Sequence, residues 1–145
     1  MCVRETFTMM SAVVGILSMV CASCSLDQNT VVPSVSSTPK NQPVVVSAAD
    51  AFTFTVDAQE FSYTTTQAVS FSGDSLVATL VVTNYVSGTG HIESMTSDGT
   101  QFYSEVLNGN RTVVLAGLAP ILPKSVSVTL TRYTGTVTFV LARKK

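Results

Sequence analysis

Tryptophan is absent from this 145-residue sequence, histidine occurs once, and charged residues make up only 12% of the chain. Cysteine occurs three times, at Cys2, Cys21 and Cys24, and nowhere after residue 24. Each shortage excludes something. The disulfide framework that staples many small exported domains has no cysteines to build on, so a folded part must rest on its core alone. A zinc site wants several His, Cys or carboxylate ligands, and His91 with Glu93 two residues on is too thin a set. Eight basic against nine acidic residues give a net charge of −1, with no basic stripe of the kind that binds nucleic acid. The Cys and Trp landmarks of antibody domains are missing as well.

What is present begins with the leader. After Arg4 the run from Met9 to Val20 is apolar and uncharged. Its length falls short of the roughly 20 residues a helix needs to cross a hydrocarbon core, and suits the apolar region of a secretory signal peptide. Small residues follow at Ala22 and Ser23, with Cys21 before them, and then Cys24. This stretch resembles the lipobox of bacterial lipoproteins. The resemblance implies removal of residues 1–23, lipidation of the Cys24 thiol and membrane lipid as the first partner. It departs from the family at Cys21, where Leu is usual, and at Glu5, which offsets Arg4. The alternative is an ordinary signal peptide cut after Ala22, giving a secreted protein. In the lipoprotein reading, Ser25 stands where an inner-membrane retention signal would resemble Asp, which favours the outer membrane.

Residues 24–50 carry Pro33, Pro39 and Pro43 among many Ser, Thr, Asn and Gln, the composition of an extended tether. The run Val44-Val45-Val46 is an alternative beginning for a first strand. From Ala51 to the end the period is two: Phe52, Phe54 and Val56 alternate with polar residues, as do Val126, Val128 and Leu130, then Val137, Phe139 and Leu141. Leu76 to Val86 is more continuously apolar, as a central strand covered on both sides would be. Asp98-Gly99 and Asn108-Gly109 are hairpin dipeptides, which predicts a meander of strands over 91–96, 101–107 and 111–118. Thr134-Gly135 suggests a further turn, while Pro120 and Pro123 suggest a crossing between sheets. Seven to nine short strands over 51–145 predict an all-β domain, an immunoglobulin-like two-sheet antiparallel β-sandwich. Its inward set should include Phe52, Phe54, Val126, Val128, Leu130, Val137 and Phe139.

One string hints at chemistry. Gly73-Asp74-Ser75-Leu76 resembles the nucleophile turn of a family of serine esterases, and that resemblance would make Ser75 a nucleophile with His91 as its base. The family also needs an Asp three residues before the His and helices around a parallel sheet. Residue 88 is Gly, and no stretch after residue 30 has a helical stripe. Without a base the Ser75 hydroxyl stays protonated and unreactive, so Gly73-Asp74 reads more simply as a bend between strands. Glu93 and Glu105 flank one hairpin. A two-residue loop at Asp98-Gly99 would set Glu93 opposite Ser104 and Ile92 opposite Glu105, turning the two carboxylates to opposite faces. Asp98-Gly99 lacks the further oxygen ligands of a calcium loop. Tyr63, Tyr85, Tyr103 and Tyr133 read as core and rim, and Arg143-Lys144-Lys145 as a solvated end to the last strand. The sequon Asn110-Arg111-Thr112 carries no weight in a bacterium. The sequence therefore predicts no catalytic, cofactor-binding or metal residues and one modified residue, Cys24. It reads as a non-enzymatic binding or structural module in the cell envelope, its further partner a protein or carbohydrate, with a Ser75/His91 hydrolase as the alternative.

Overall fold

A computed structural model describes residues 39–144, apart from 74 and 119–121. Cys24 and the leader lie outside the described residues. Six strands form: β1 (Val44–Ala48), β2 (Ala51–Ala68), β3 (Ser75–Thr96), β4 (Gln101–Leu107), β5 (Arg111–Leu118) and β6 (Pro123–Arg143). Every strand pairing is antiparallel, in the order β1-β2-β6-β3-β4, with β5 also on β3. The expected all-β antiparallel class is what forms. One hydrogen-bonded ladder, however, runs through all six strands, and its layers arise by bending rather than from two separate sheets.

The bends can be read from side-chain parity. In β2 the buried residues are Phe52, Phe54, Val56 and Ala58, after which the half-buried set is Phe61, Tyr63, Thr65 and Gln67. Even numbers give way to odd at Glu60, whose φ is 51°. In β6 the buried set changes from Val126, Val128 and Leu130 to Tyr133, Val137, Phe139 and Leu141, around Arg132 with φ 44°. One extra residue in a strand moves its inward set to the other parity and bends the sheet. β3 has two left-handed residues, Asn84 (φ 54°) and Gly88 (φ 90°), and its inward set is even from Leu76 to Val82 and even again from Gly90 to Thr96, with Tyr85 half-buried between them. The register shifts of β2 and β3 against β6 fall at the same level.

Bending brings the two halves of the sheet together. The Phe54 ring lies 6.0 Å from that of Tyr63, nine residues along the same strand, and the Tyr103 ring of β4 lies 5.1 Å from that of Phe139 in β6. All seven residues expected in the core are at most 2% exposed. The core also holds three hydroxyls without a hydrogen-bond partner among the described residues, those of Ser94, Tyr103 and Tyr133.

Several local expectations change. Instead of seven to nine short strands over 51–145, the described residues there form five, β2 to β6, and β2, β3 and β6 are 18, 22 and 21 residues long. Thr134-Gly135 makes no turn: β6 runs through it, because Gly135 keeps Ala58 as its partner in β2. The outer face of Leu76–Val82 is half-exposed, so this central strand is fully covered on one face only. Nor do β4 and β5 form a hairpin. Each pairs with β3, β4 along Gly90–Met95 and β5 along Ser75–Val82, so Asn108-Gly109-Asn110 is a corner between two stretches of one edge. There the Asn110 side chain accepts the Tyr85 backbone N–H at 2.8 Å. Pro123 opens β6 opposite Thr96, while Pro120 lies outside the described residues. The Val run joins the sheet as β1, and Asn41 accepts the Gln59 N–H at 2.7 Å just before it.

Candidate functional site

The bend makes the one cleft that stands out among the described residues. It has a volume of about 480 Å³ and is lined by Glu60, Ser87, Gly88, Thr89, Thr131 and Arg132. Its walls are the bulges themselves. A bulge frees a backbone N–H from the ladder, and in β2 and β6 the freed group finds a hydroxyl on the neighbouring strand. Glu60 N–H donates to Thr134 Oγ1 at 2.9 Å, and Arg132 N–H donates to Ser62 Oγ at 3.0 Å. The two contacts are reciprocal, a charged residue on one strand answering a hydroxyl two residues beyond its counterpart on the other. Gly88 is required at the floor, because a Cβ there would sit 2.3 Å from the Arg132 carbonyl oxygen and its φ is left-handed. Glu60 and Arg132 make no ion pair among the described residues, so one carboxylate and one guanidinium rim a concavity with three hydroxyl-bearing residues. That set suits a neutral polyhydroxy or zwitterionic ligand through hydrogen bonds.

The residues singled out by chemistry lie elsewhere. Ser75 opens β3, and Asp74 lies outside the described residues. His91 is sixteen residues on, past the bend, and its Nε2 is 2.9 Å from Ser104 Oγ on β4. Ser75 and His91 therefore form no nucleophile–base pair. Ser104 with His91 has the spacing of one, but both lie on the regular outer face of a β-ladder, away from the cleft. Among the described residues no carboxylate hydrogen-bonds the His91 ring. The Glu93↔Ser104 and Ile92↔Glu105 pairings are those expected. Accordingly Glu93 is on the outer face, whereas Glu105 shares the inward parity of Tyr103 and Leu107 and is held by Arg111 at 2.9 Å. The loop between β3 and β4 takes one residue more than expected, with Thr96 N–H donating to Thr100 O and Gly99 left-handed at φ 83°. Asp98 accepts from the Thr96 hydroxyl and the Thr100 N–H, which hold its carboxyl below the usual range. Among the described residues no three His, Cys, Asp or Glu side chains converge.

The tyrosines divide as core and rim. Burial, reinforced by the charge of Glu105, pushes the Tyr103 phenol up to about 12, and burial with Tyr85 beside it does the same for Tyr133. Tyr85 donates its hydroxyl to the carbonyl of Gly88, a lining residue of the cleft, at 2.8 Å. The basic end is partly engaged. Arg143 Nη1 lies 3.5 Å from Asp50 Oδ2, and Arg143 N–H donates to Asp50 O at 2.9 Å. Asp50 also accepts the Ser72 N–H and hydroxyl, and these bonds, with Arg143, lower its pKa. Sequence reasoning missed the cleft. The paired signal was there, Glu60 before Ser62 and Arg132 before Thr134, but nothing local says that these two segments face one another.

No protein-family model and no curated protein matches the sequence. Among solved structures, the chain is similar to one described under "Bacillus endospore appendages form a novel family of disulfide-linked pili", with 15% identity over 77% of this chain and 98% of that one, at a TM-score of 0.43.

Proposed function

We propose that this chain is a bacterial envelope lipoprotein, anchored through acylated Cys24, whose β domain is a non-enzymatic binding or structural module. The leader and lipobox-like stretch support the anchor and favour the outer membrane. The observation that carries the non-enzymatic reading is the position of His91. The sole histidine of the sequence is hydrogen-bonded to Ser104 on an open face and stands apart from both Ser75 and the cleft. General-base activation needs the base within hydrogen-bond reach of the nucleophile inside a pocket that holds the reacting group. The cleft between Glu60 and Arg132 is the place for an envelope carbohydrate or protein loop to dock.

Purified protein assayed on a generic ester, beside Ser75→Ala, Ser104→Ala and His91→Ala, tests this reading. Background rates from all four are expected. Turnover by wild type that any one variant abolishes would replace it with the hydrolase.

A further inference from the structure

The corner at Asn108–Asn110 leaves β5 in an unusual position. It pairs with β3 along one side, and among the described residues no strand hydrogen-bonds its other side. Its sequence is RTVVLAGL, and Thr112, Val114, Leu115, Ala116 and Gly117 are all exposed, Val114 by 63% and Leu115 by 46%. Edge strands in soluble folds are normally short, or guarded by a charge, a proline or a bulge. The other edges follow that rule. β1 has five residues and follows Pro43, β4 carries Glu105, and the outer half of β2 starts at the bulge around Glu60. β5 has none of these guards after Arg111, and Arg111 is neutralised by Glu105 at 2.9 Å and bonded to Asn108 at 2.7 Å.

We infer that β5 pairs with β5 of a second copy, antiparallel, about a two-fold axis at Val114. An antiparallel two-fold normal to the sheet must set a residue against its own copy, since only then do facing side chains keep the same face. With the axis at Val114, Val113 faces Leu115 of the other copy, Thr112 faces Ala116 and Arg111 faces Gly117, each pair occurring twice. No charge meets a like charge, and the exposed apolar residues cover one another. A heterologous peptide would need its own uncharged strand, whereas a second copy supplies one. A strand pair of this length buries less than the roughly 1,600 Å² of a standard interface, so the dimer is expected to be weak and to dissociate on dilution.

The axis makes a sharp test. Directly opposed Cβ atoms on paired strands lie roughly 4.5–5.5 Å apart, close enough for a disulfide with slight adjustment. Full-length chain carrying Val114→Cys, oxidised mildly in membranes of the expressing cells, should cross-link to a dimer well above wild type, which sets the baseline from the leader cysteines. Val44→Cys and Val86→Cys, exposed at other places, should stay at that baseline. Sedimentation of the full-length chain in detergent should show a dimer that Val114→Lys abolishes without lowering the melting temperature. Cross-linking of Val114→Cys no better than Val44→Cys overturns the proposal, as does a ladder of higher oligomers, which a closed two-fold forbids. A cross-linked band of unequal mass would mean that another protein occupies the edge, and would overturn it equally.

Discussion

Phe54 and Phe139 are fully buried, and each packs against an aromatic ring from the other half of the sheet. Truncating a buried Phe typically costs about 3–5 kcal/mol, a large part of the roughly 5–15 kcal/mol that holds a domain together. Phe54→Ala and Phe139→Ala should therefore lower the melting temperature by many degrees, while Ser75→Ala and His91→Ala, at half-exposed positions, should barely change it. These side chains were legible in the sequence because burial follows from parity alone. The orphan hydroxyls were not, because a hydroxyl partner is a tertiary fact. Tyr133 and Tyr103 bury their hydroxyls without compensation, so Tyr133→Phe should be neutral or stabilising by about 1 kcal/mol in denaturant titrations. Both phenols have folded values raised to about 12 from 10, so the folded state holds its protons longer than the unfolded state does. Their contribution is intact below pH 10 and is lost as pH rises towards 12, by up to about 3 kcal/mol per tyrosine. Alkaline unfolding in that window should be blunted in the Tyr103→Phe/Tyr133→Phe double variant, and an unchanged transition would contradict the burial of these groups.

At the scale of elements, the bulges decide the fold. A local reading sees Asn-Gly and Thr-Gly and places a turn at each, because those dipeptides suit positive φ wherever it is needed. Whether the residue ends a strand or bends it depends on whether the flanking segments keep their partners, which are distant in sequence. That is why the strand faces were legible and the strand count was not. The bulge at Gly88 gives the clearest test. Gly88→Ala adds a methyl group against the Arg132 backbone carbonyl at a left-handed φ, so it should destabilise more than the roughly 1 kcal/mol of an ordinary Gly→Ala penalty at positive φ. Glu60→Gly relieves a left-handed non-glycine residue and should leave thermal stability unchanged or slightly raised, while removing the carboxylate from the cleft. A large loss on Glu60→Gly would mean that its side chain, rather than the Thr134 hydroxyl on its N–H, secures the bend.

For the whole molecule, the absence of cysteine after residue 24 and the continuity of one ladder through six strands lead to the same expectation. Reductant should leave the melting temperature of the domain unchanged. A fragment that tests this should start at Pro39, since a start within β1 would remove part of that strand and the Asn41 contacts. The corner at Asp50 joins the β1–β2 turn, Ser72 and the final strand through Arg143. Because the Asp50 pKa is lowered in the folded state, its contribution is present above the usual carboxylate range and fades as pH falls below it. The leader lies outside the described residues, and the proposal of an anchored module rests on its length and charge, which suit a signal peptide rather than a membrane span. Mass spectrometry of the mature N-terminus tests that proposal most directly. The account predicts a protein that begins at Cys24 and carries an acyl mass, lost in Cys24→Ala. A mature chain that begins at Ser23 without an acyl group would contradict the anchor and leave a secreted domain.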